Sequence, residues 1–284
     1  MPRRWPKVIL RGPQEEREIV AAALLEHGAL GAWDTPGSTV IYFPPALSEE
    51  EVKELVSSAL TPKSHVSWAV GWEHEQDWMT GWRQYFKPIA VGKRIIVKPP
   101  WGQIPSELVG RDVVVEIEPK MAFGTGTHPS TQLVLEAEED LLEKRADVLD
   151  VGTGSGILAI AAVLLGARRV VAFDVDTTAV RNAVENLRRN KVQDRVWIYA
   201  GGPECVTASR CFDLVLANIR TDVHRELLGF YRQRLSRRGR VVLSGVLRSE
   251  TAELNQLLRQ EGFTVERVRE REEWAAIEAG VLSR

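Results

Sequence analysis

ADVLDVGTGSG (146–156) sets an apolar run of strand character ahead of three glycines at alternate positions, and ILAIAAVLLG (157–166) continues it as an apolar helix. Strand, glycine loop and helix in that order make a nucleotide-binding unit, because bare backbone N–H groups and the positive end of the helix meet at the loop. Working outward, RRVVAFDVD (168–176) predicts a second strand and TTAVRNAVENLRRN (177–190) its helix. DRVWIYA (194–200), CFDLVLAN (211–218) and GRVVLSGV (239–246) are three further strands, the last two separated by a helix over 222–235. SETAELNQLLRQEG (249–262) is a helix with a glycine stop, and FTVERVREREEWAAIEAG (263–280) a closing hairpin. Upstream, DVVVEIEP (112–119) reads as a strand, followed by AFGTGTHPST (122–131) and a helix from about Thr131 to Lys144. Strands alternating with helices predict a parallel, doubly wound, Rossmann-like α/β sheet over 93–284.

The first 72 residues follow another pattern. KVILRG (7–12) suggests a strand, EEREIVAAALLEHGA (15–29) a helix closing on Gly28, and LGAWD (30–34) and STVIYF (38–43) two strands around the turn-forming TPG. SEEEVKELVSSAL (48–60) opens with Ser48 as N-cap and an acidic first turn, and HVSWAVGW (65–72) is a strand. The order β-α-β-β-α-β predicts a ferredoxin-like α+β domain over 1–72. Residues 73–92 are expected to be a helical connector, with Trp78, Trp82 and Phe86 at i, i+4 and i+8 and Pro88 ending it. That aromatic stripe is either a packing ridge between domains or a recognition surface.

Composition excludes several classes. Among 284 residues, 37 basic and 39 acidic side chains leave a net charge of −2, so no global basic field holds nucleic acid and strong nucleic-acid binding is not expected. The stretch GILAIAAVLLGA (156–167) is shorter than the roughly 20 apolar residues a membrane span needs. MPRRWPKVILRGPQ (1–14) lacks a small-residue cleavage site and is not expected to be a signal peptide. Cys205 and Cys211 have neither CxxC spacing nor a histidine partner, so the expectation is no metal site, no disulfide and a reducing cytoplasm.

The glycine loop narrows the ligand. A dinucleotide fingerprint is G-x-G-x-x-G, whereas Gly152-Thr153-Gly154-Ser155-Gly156 runs G-x-G-x-G with no Walker lysine. Asp150 stands two residues before the loop, where a carboxylate opposes a pyrophosphate. The expected ligand is a nucleoside without phosphate that carries positive charge, and S-adenosylmethionine meets both conditions. Asp174 falls 22 residues after Gly152 at the end of the second strand, where a carboxylate can accept both ribose hydroxyls. Its alternative is a helix N-cap, a role Asp176 or Thr177 could fill. Gly152 and Gly154 let the backbone approach the ligand, and Gly156 is expected to ease helix–strand packing.

Asn218 ends its strand on the carboxyl edge where α/β ligands bind. Its amide can accept a hydrogen bond from a substrate N–H and aim the nitrogen lone pair at a methyl donor; the alternative is a turn-forming asparagine. AFGTGTHPST precedes the glycine strand by one helix and is expected to roof the cofactor pocket, with Phe123 against an adenine face. His128 is either a base or a structural histidine.

These residues together resemble the PrmA family of ribosomal protein lysine methyltransferases, which act on large-subunit protein eleven. The resemblance rests on WRQYFKPIAVG, AFGTGTHPST, VLDVGTGSGILAIAA, FDVD, LANI, LSGVL and EEWAAI, over 77–284. It implies a class I S-adenosylmethionine-dependent methyltransferase, with cofactor contacts at Thr131, Gly152, Asp174 and Asn218. It also implies an N-terminal domain that binds a ribosomal protein substrate; separately, the chain is expected to be a cytoplasmic monomer. Three positions depart from the family: Lys120 stands where glycine is usual, Thr153 where cysteine is common, a mild change, and Arg220 where leucine is usual, which sets a cation beside the entrance for lysine. Other readings of the same residues are a methyltransferase acting on another protein or a small molecule, a nicotinamide oxidoreductase, and a non-catalytic ribosome-associated protein.

Overall fold

The computed structural model describes residues 4–35, 37–60, 64–74, 86–118, 126–207 and 211–281. The chain forms two compact units, residues 1–85 and 86–284.

The first unit runs β1 (Arg4–Arg11), α1 (Gln14–Glu26), β2 (Gly31–Thr35), β3 (Ser38–Tyr42), α2 (Glu49–Ala59) and β4 (Ser67–His74). Its strands pair antiparallel in the order β2-β3-β1-β4, the ferredoxin-like arrangement expected from the sequence. Alternation along β1 sends Val8 and Leu10 to one face, where they meet Val20 and Leu24 of α1 and Val52 and Val56 of α2. Ser48 caps α2 as its type predicts: the Glu51 N–H donates to its hydroxyl at 3.3 Å, and the Ser48 N–H donates to the Glu51 carboxylate at 2.7 Å. Of the connector expected over 73–92, Trp78 and Trp82 lie outside the described residues.

The second unit opens with β5 (Ile89–Val91), β6 (Ile95–Lys98) and β7 (Val113–Glu116). These form a separate three-stranded sheet, order β5-β6-β7, so the DVVVEIEP strand does not join the main sheet. Its backbone pairs parallel with β6, and its buried Val113 and Val115 pack into the core beside the helix after the glycine loop. There follow α3 (Pro129–Leu141), β8 (Asp147–Val151), α4 (Ile157–Leu165), β9 (Arg169–Asp174), α5 (Thr177–Arg189) and β10 (Val196–Ala200). The chain ends with β11 (Phe212–Asn218), α6 (Thr221–Arg234), β12 (Leu235–Leu247), α7 (Thr251–Gln260), β13 (Phe263–Arg271) and β14 (Trp274–Val281).

The main sheet has the order β10-β9-β8-β11-β12-β14-β13. Its first five strands are parallel, and the closing hairpin adds two antiparallel ones, so the sheet is mixed rather than wholly parallel. Both faces are covered. Val148, Leu214 and Leu216 pack toward α3 and α4, and their neighbours Leu149, Val215 and Ala217 toward α6 and α7. Residues Ile157 to Val163 of α4 are all buried, which is why that helix shows no polar stripe. The chain leaves β8 outward to β9 and β10, then returns to β11 on the other side. A crevice therefore opens at the carboxyl ends of β8 and β11, where such sheets hold ligands.

One carboxyl group sits deep in this core. Glu138 of α3 is fully buried, and neither of its oxygens has a hydrogen-bond partner. Burial, and secondarily the charge of Asp150, pushes its pKa well above 4.5. The folded state thus holds this proton more tightly than the unfolded chain does. The neutral acid is tolerated below the ordinary carboxylate pKa, and stability is lost as pH rises above it. Glu138→Leu should stabilise the protein by about 1–3 kcal/mol, with a larger gain at about pH 8 than at about pH 5. Thermal denaturation at the two pH values checks this, and an equal gain at both would show that the carboxyl does not titrate between them.

Candidate active site

The glycine loop is tied to the neighbouring strand by one carbonyl. Phe173 O accepts the N–H groups of Gly152, at 3.0 Å, and Thr153, at 3.1 Å. Gly152 has φ 70°, and a Cβ built there would lie 2.5 Å from Ile219 Cγ2. Glycine is therefore required twice over, by the left-handed backbone and by the side chain against it. Gly156 departs from its expected role, since a Cβ there would meet Ala183 of α5 at 3.2 Å; it eases helix–helix rather than helix–strand packing.

Asp150 lies beneath the loop, fully buried. Thr153 Oγ1 donates to its Oδ2 at 2.6 Å and the Ala159 N–H at 3.2 Å, so the carboxylate braces the loop against the first turn of α4. Burial raises its pKa to about 7. Its second oxygen, Oδ1, has no hydrogen-bond partner.

Asp174 stands at the carboxyl end of β9, half-buried. Gly154 N–H donates to its Oδ2 and Asp176 N–H to its Oδ1, both at 2.9 Å. Asp176 caps α5, accepting the Thr178 N–H at 2.7 Å, so capping does not account for Asp174. Each oxygen keeps lone pairs that can accept a hydroxyl.

On the other side of the switch point, Asn218 ends β11 in register with Ser244 of β12. Its Nδ2 donates at 3.1 Å to the Oγ1 of Thr131, a fully buried residue in the first turn of α3. Its Oδ1 is buried without a hydrogen-bond partner. The donor half of the amide is thus committed and the acceptor half is open, which suits an incoming N–H.

His128 takes the structural alternative. It is the N-cap of α3: Nδ1 accepts the Ser130 N–H at 3.3 Å and lies 2.7 Å from Ser130 Oγ, while the ring packs edge-on against Trp274 at 4.8 Å. Phe123 and Lys120 lie outside the described residues. Arg220 is 83% exposed in its side chain and makes two bonds to Asp222, Nε to Oδ1 at 3.1 Å and one terminal nitrogen to Oδ2 at 2.7 Å. A carboxylate therefore answers the cation that the sequence sets beside Asn218.

The structure brings Gly152, Gly154 and Asp174 together through bonds donated by loop N–H groups to Phe173 O and the Asp174 carboxylate, and Thr131 and Asn218 through a side-chain bond. What joins the two groups is Ile219, a residue that sequence reasoning passed over. It follows Asn218, packs against Gly152, and donates its N–H to Ser244 O at 3.1 Å. The signal was in the motifs LANI and LSGVL, but neither states what it touches. Gly152→Ala should lower stability by about 2–3 kcal/mol, while Gly110→Ala, which also has a positive φ but nothing near its Cβ, should lose only about 1 kcal/mol. Chemical denaturation of the two variants checks this; equal losses would mean that Ile219 yields freely.

Residues 32–281 match the family described as "Ribosomal protein L11 methyltransferase (PrmA)". The ribosomal protein L11 methyltransferase of Heliobacterium modesticaldum is 39% identical, over 75% of this chain and 66% of that protein, just under two thirds of its length. That of Alkaliphilus oremlandii is 32% identical over 96% of this chain and 97% of that protein. Among solved structures, the ribosomal protein L11 methylase of Lactobacillus delbrueckii subsp. bulgaricus aligns with TM-score 0.63 at 27% identity, covering 69% of this chain and 99% of that one.

Proposed function

The chain belongs to the ribosomal protein L11 methyltransferase family, and from that premise we propose that it transfers methyl groups from S-adenosylmethionine to lysine, and to the N-terminal amine, of a large-subunit ribosomal protein. The observation that carries the reading is the buried, unpaired Oδ1 of Asn218 at the sheet's switch point. The residues fit the cofactor. Gly152 leaves the loop bare of side chain, Asp174 offers carboxylate lone pairs to a ribose, and Thr131 fixes the Asn218 amide. Phe123 would add an adenine contact by resemblance. When bound, S-adenosylmethionine supplies the methyl group and a positively charged sulfur.

The chain's own part is orientation. A lysine amine must arrive neutral, which at pH 7 costs about 4–5 kcal/mol from its pKa near ~10.4. Burial in the crevice lowers that cost by disfavouring the charged form. Asn218 Oδ1 accepts an N–H of the neutral amine and turns its lone pair toward the methyl group, holding the reacting atoms about 3–3.5 Å apart. The ferredoxin-like unit, expected over 1–72, would dock the protein substrate, with 73–92 as connector and residues 93–284 as the catalytic domain. In this reading the enzyme works in the cytoplasm as a monomer. No helix among the described residues is long and apolar enough to cross a membrane.

Asp174→Ala should weaken cofactor binding about a hundredfold or more, since it removes two charge-assisted hydrogen bonds worth about 1.5–3 kcal/mol each. Calorimetric titration checks this, and unchanged affinity would move the ribose elsewhere. Asn218→Ala should lower the single-turnover rate of methyl transfer to the ribosomal protein by about a hundredfold while cofactor affinity falls less, because orientation is realised in the transition state. A normal rate would leave Asn218 a turn former. With Asp222 already answering its charge, Arg220→Leu should keep or raise kcat/KM toward the lysine substrate, and a fall would make Arg220 a substrate contact.

A further inference from the structure

Behind Asn218, on the opposite face of the sheet from Thr131, lies a buried pair that no step above uses. His224 and Tyr231 of α6 are both fully buried, two turns apart on one helix face. His224 Nε2 lies 2.8 Å from Ser244 O, and Nδ1 3.2 Å from the Tyr231 hydroxyl. A carbonyl oxygen has no proton to give, so Nε2 must carry the hydrogen. Nδ1 is then a bare lone pair that accepts the Tyr231 O–H, and this second bond selects the tautomer. Burial keeps both groups neutral, lowering the His224 pKa to about 4 and raising that of Tyr231.

Ser244 is where the arrangement meets the site. Its carbonyl also accepts the Ile219 N–H at 3.1 Å, and Ser244 is the register partner of Asn218. Its hydroxyl lies 3.1 Å from Ser130 O, one residue before the Thr131 that holds the Asn218 amide, and 2.9 Å from Ala275 O on β14. At the next residue, Gly245, the pairing of β12 with β14 slips by one, and a Cβ there would lie 2.4 Å from Ile219 O. A bulge leaves one residue out of the ladder and disrupts the pairing locally. Two donors, from Ile219 and His224, occupy the Ser244 oxygen and fix it.

We propose that His224 is a positioning residue for the transfer reaction, holding Ser244 and through it the Asn218–Ile219 turn, with Tyr231 selecting the tautomer that does so. The proposal rests on Asn218 being the orienting group. His224 touches neither cofactor nor amine; a change there acts on the rate through the angle of the Asn218 amide. Cofactor binding, which depends on Gly152, Gly154 and Asp174, should hardly respond.

The test is single-turnover methyl transfer to ribosomal protein L11 at saturating cofactor, with cofactor affinity by calorimetry and melting temperature alongside. The full-length variants are His224→Leu, His224→Gln, Tyr231→Phe, Asn218→Ala and the double variant Asn218→Ala/His224→Leu. His224→Leu should slow transfer about tenfold or more with cofactor affinity within about threefold, as expected for a small misplacement of a reacting group. His224→Gln, whose amide N–H can reach the same carbonyl, should recover most of the rate, and Tyr231→Phe should lose part of it. Adding His224→Leu to Asn218→Ala should cost nothing further, because the two act in one chain. A parental rate in His224→Leu beside a slow Asn218→Ala overturns the proposal alone; so does full additivity in the double variant. A parental rate in Asn218→Ala overturns the orienting role and this proposal with it. Should His224→Leu fail to fold, the other two decide: a Tyr231→Phe enzyme at parental rate, or a folded but slow His224→Gln enzyme, overturns it.

Discussion

Two segments close on Ile219, and they can do so only because each sets a glycine against it. A Cβ at Gly152 would meet its side chain at 2.5 Å, and one at Gly245 its carbonyl at 2.4 Å. The loop after β8, the turn after β11 and the bulge in β12 therefore occupy one small volume without side chains between them. Everything placed at the carboxyl edge depends on that approach. The loop carries the groups suited to a nucleoside, the turn carries Asn218, and the bulge carries the carbonyl that anchors the turn.

Polar groups are buried around this point, and their protonation states follow from burial rather than from pairing. Glu138 is driven toward its neutral form, Asp150 is raised to about 7, and His224 is lowered to about 4. Near neutral pH His224 therefore carries no charge, and burial pushes Glu138 toward its neutral form. The neutral His224 still donates and accepts, so it orders its neighbours without adding a repelling cation. Asp150 stands between the two cases: it braces Thr153 and Ala159 through one oxygen, and its proton is held or released close to physiological pH.

The crevice edge handles charge differently. Asp174 keeps two backbone N–H groups on its carboxylate and remains partly open to solvent, which suits recognition of hydroxyls. Arg220 is matched by Asp222 two residues on, so the edge beside Asn218 carries an ion pair instead of a bare cation. The pair is exposed and adds little to stability. Its consequence is local, in what charge an approaching segment meets.

The sequence by itself determined the order of elements and the strand ends at which Asp174 and Asn218 stand. Periodicity and glycine spacing are local properties: the G-x-G-x-G run, the acidic end of β9 and the Ser48 cap all act within a few residues of themselves. Asp174 and Asn218 were legible for the same reason, since each sits at a strand end, and strand ends of a parallel sheet share one edge. Tertiary structure decided the rest. Whether VVVE joined the main sheet depended on its pairing with β6, and the antiparallel hairpin was added where β14 met β12. His128 could have been a base until its ring was seen to cap α3. Ile219, Ser244 and His224 acquire their roles only from hydrogen bonds and contacts between elements distant in sequence, and such contacts leave no period in the chain. Burial, which set the protonation of Glu138, Asp150 and His224, likewise exists only once the helices have closed over the sheet.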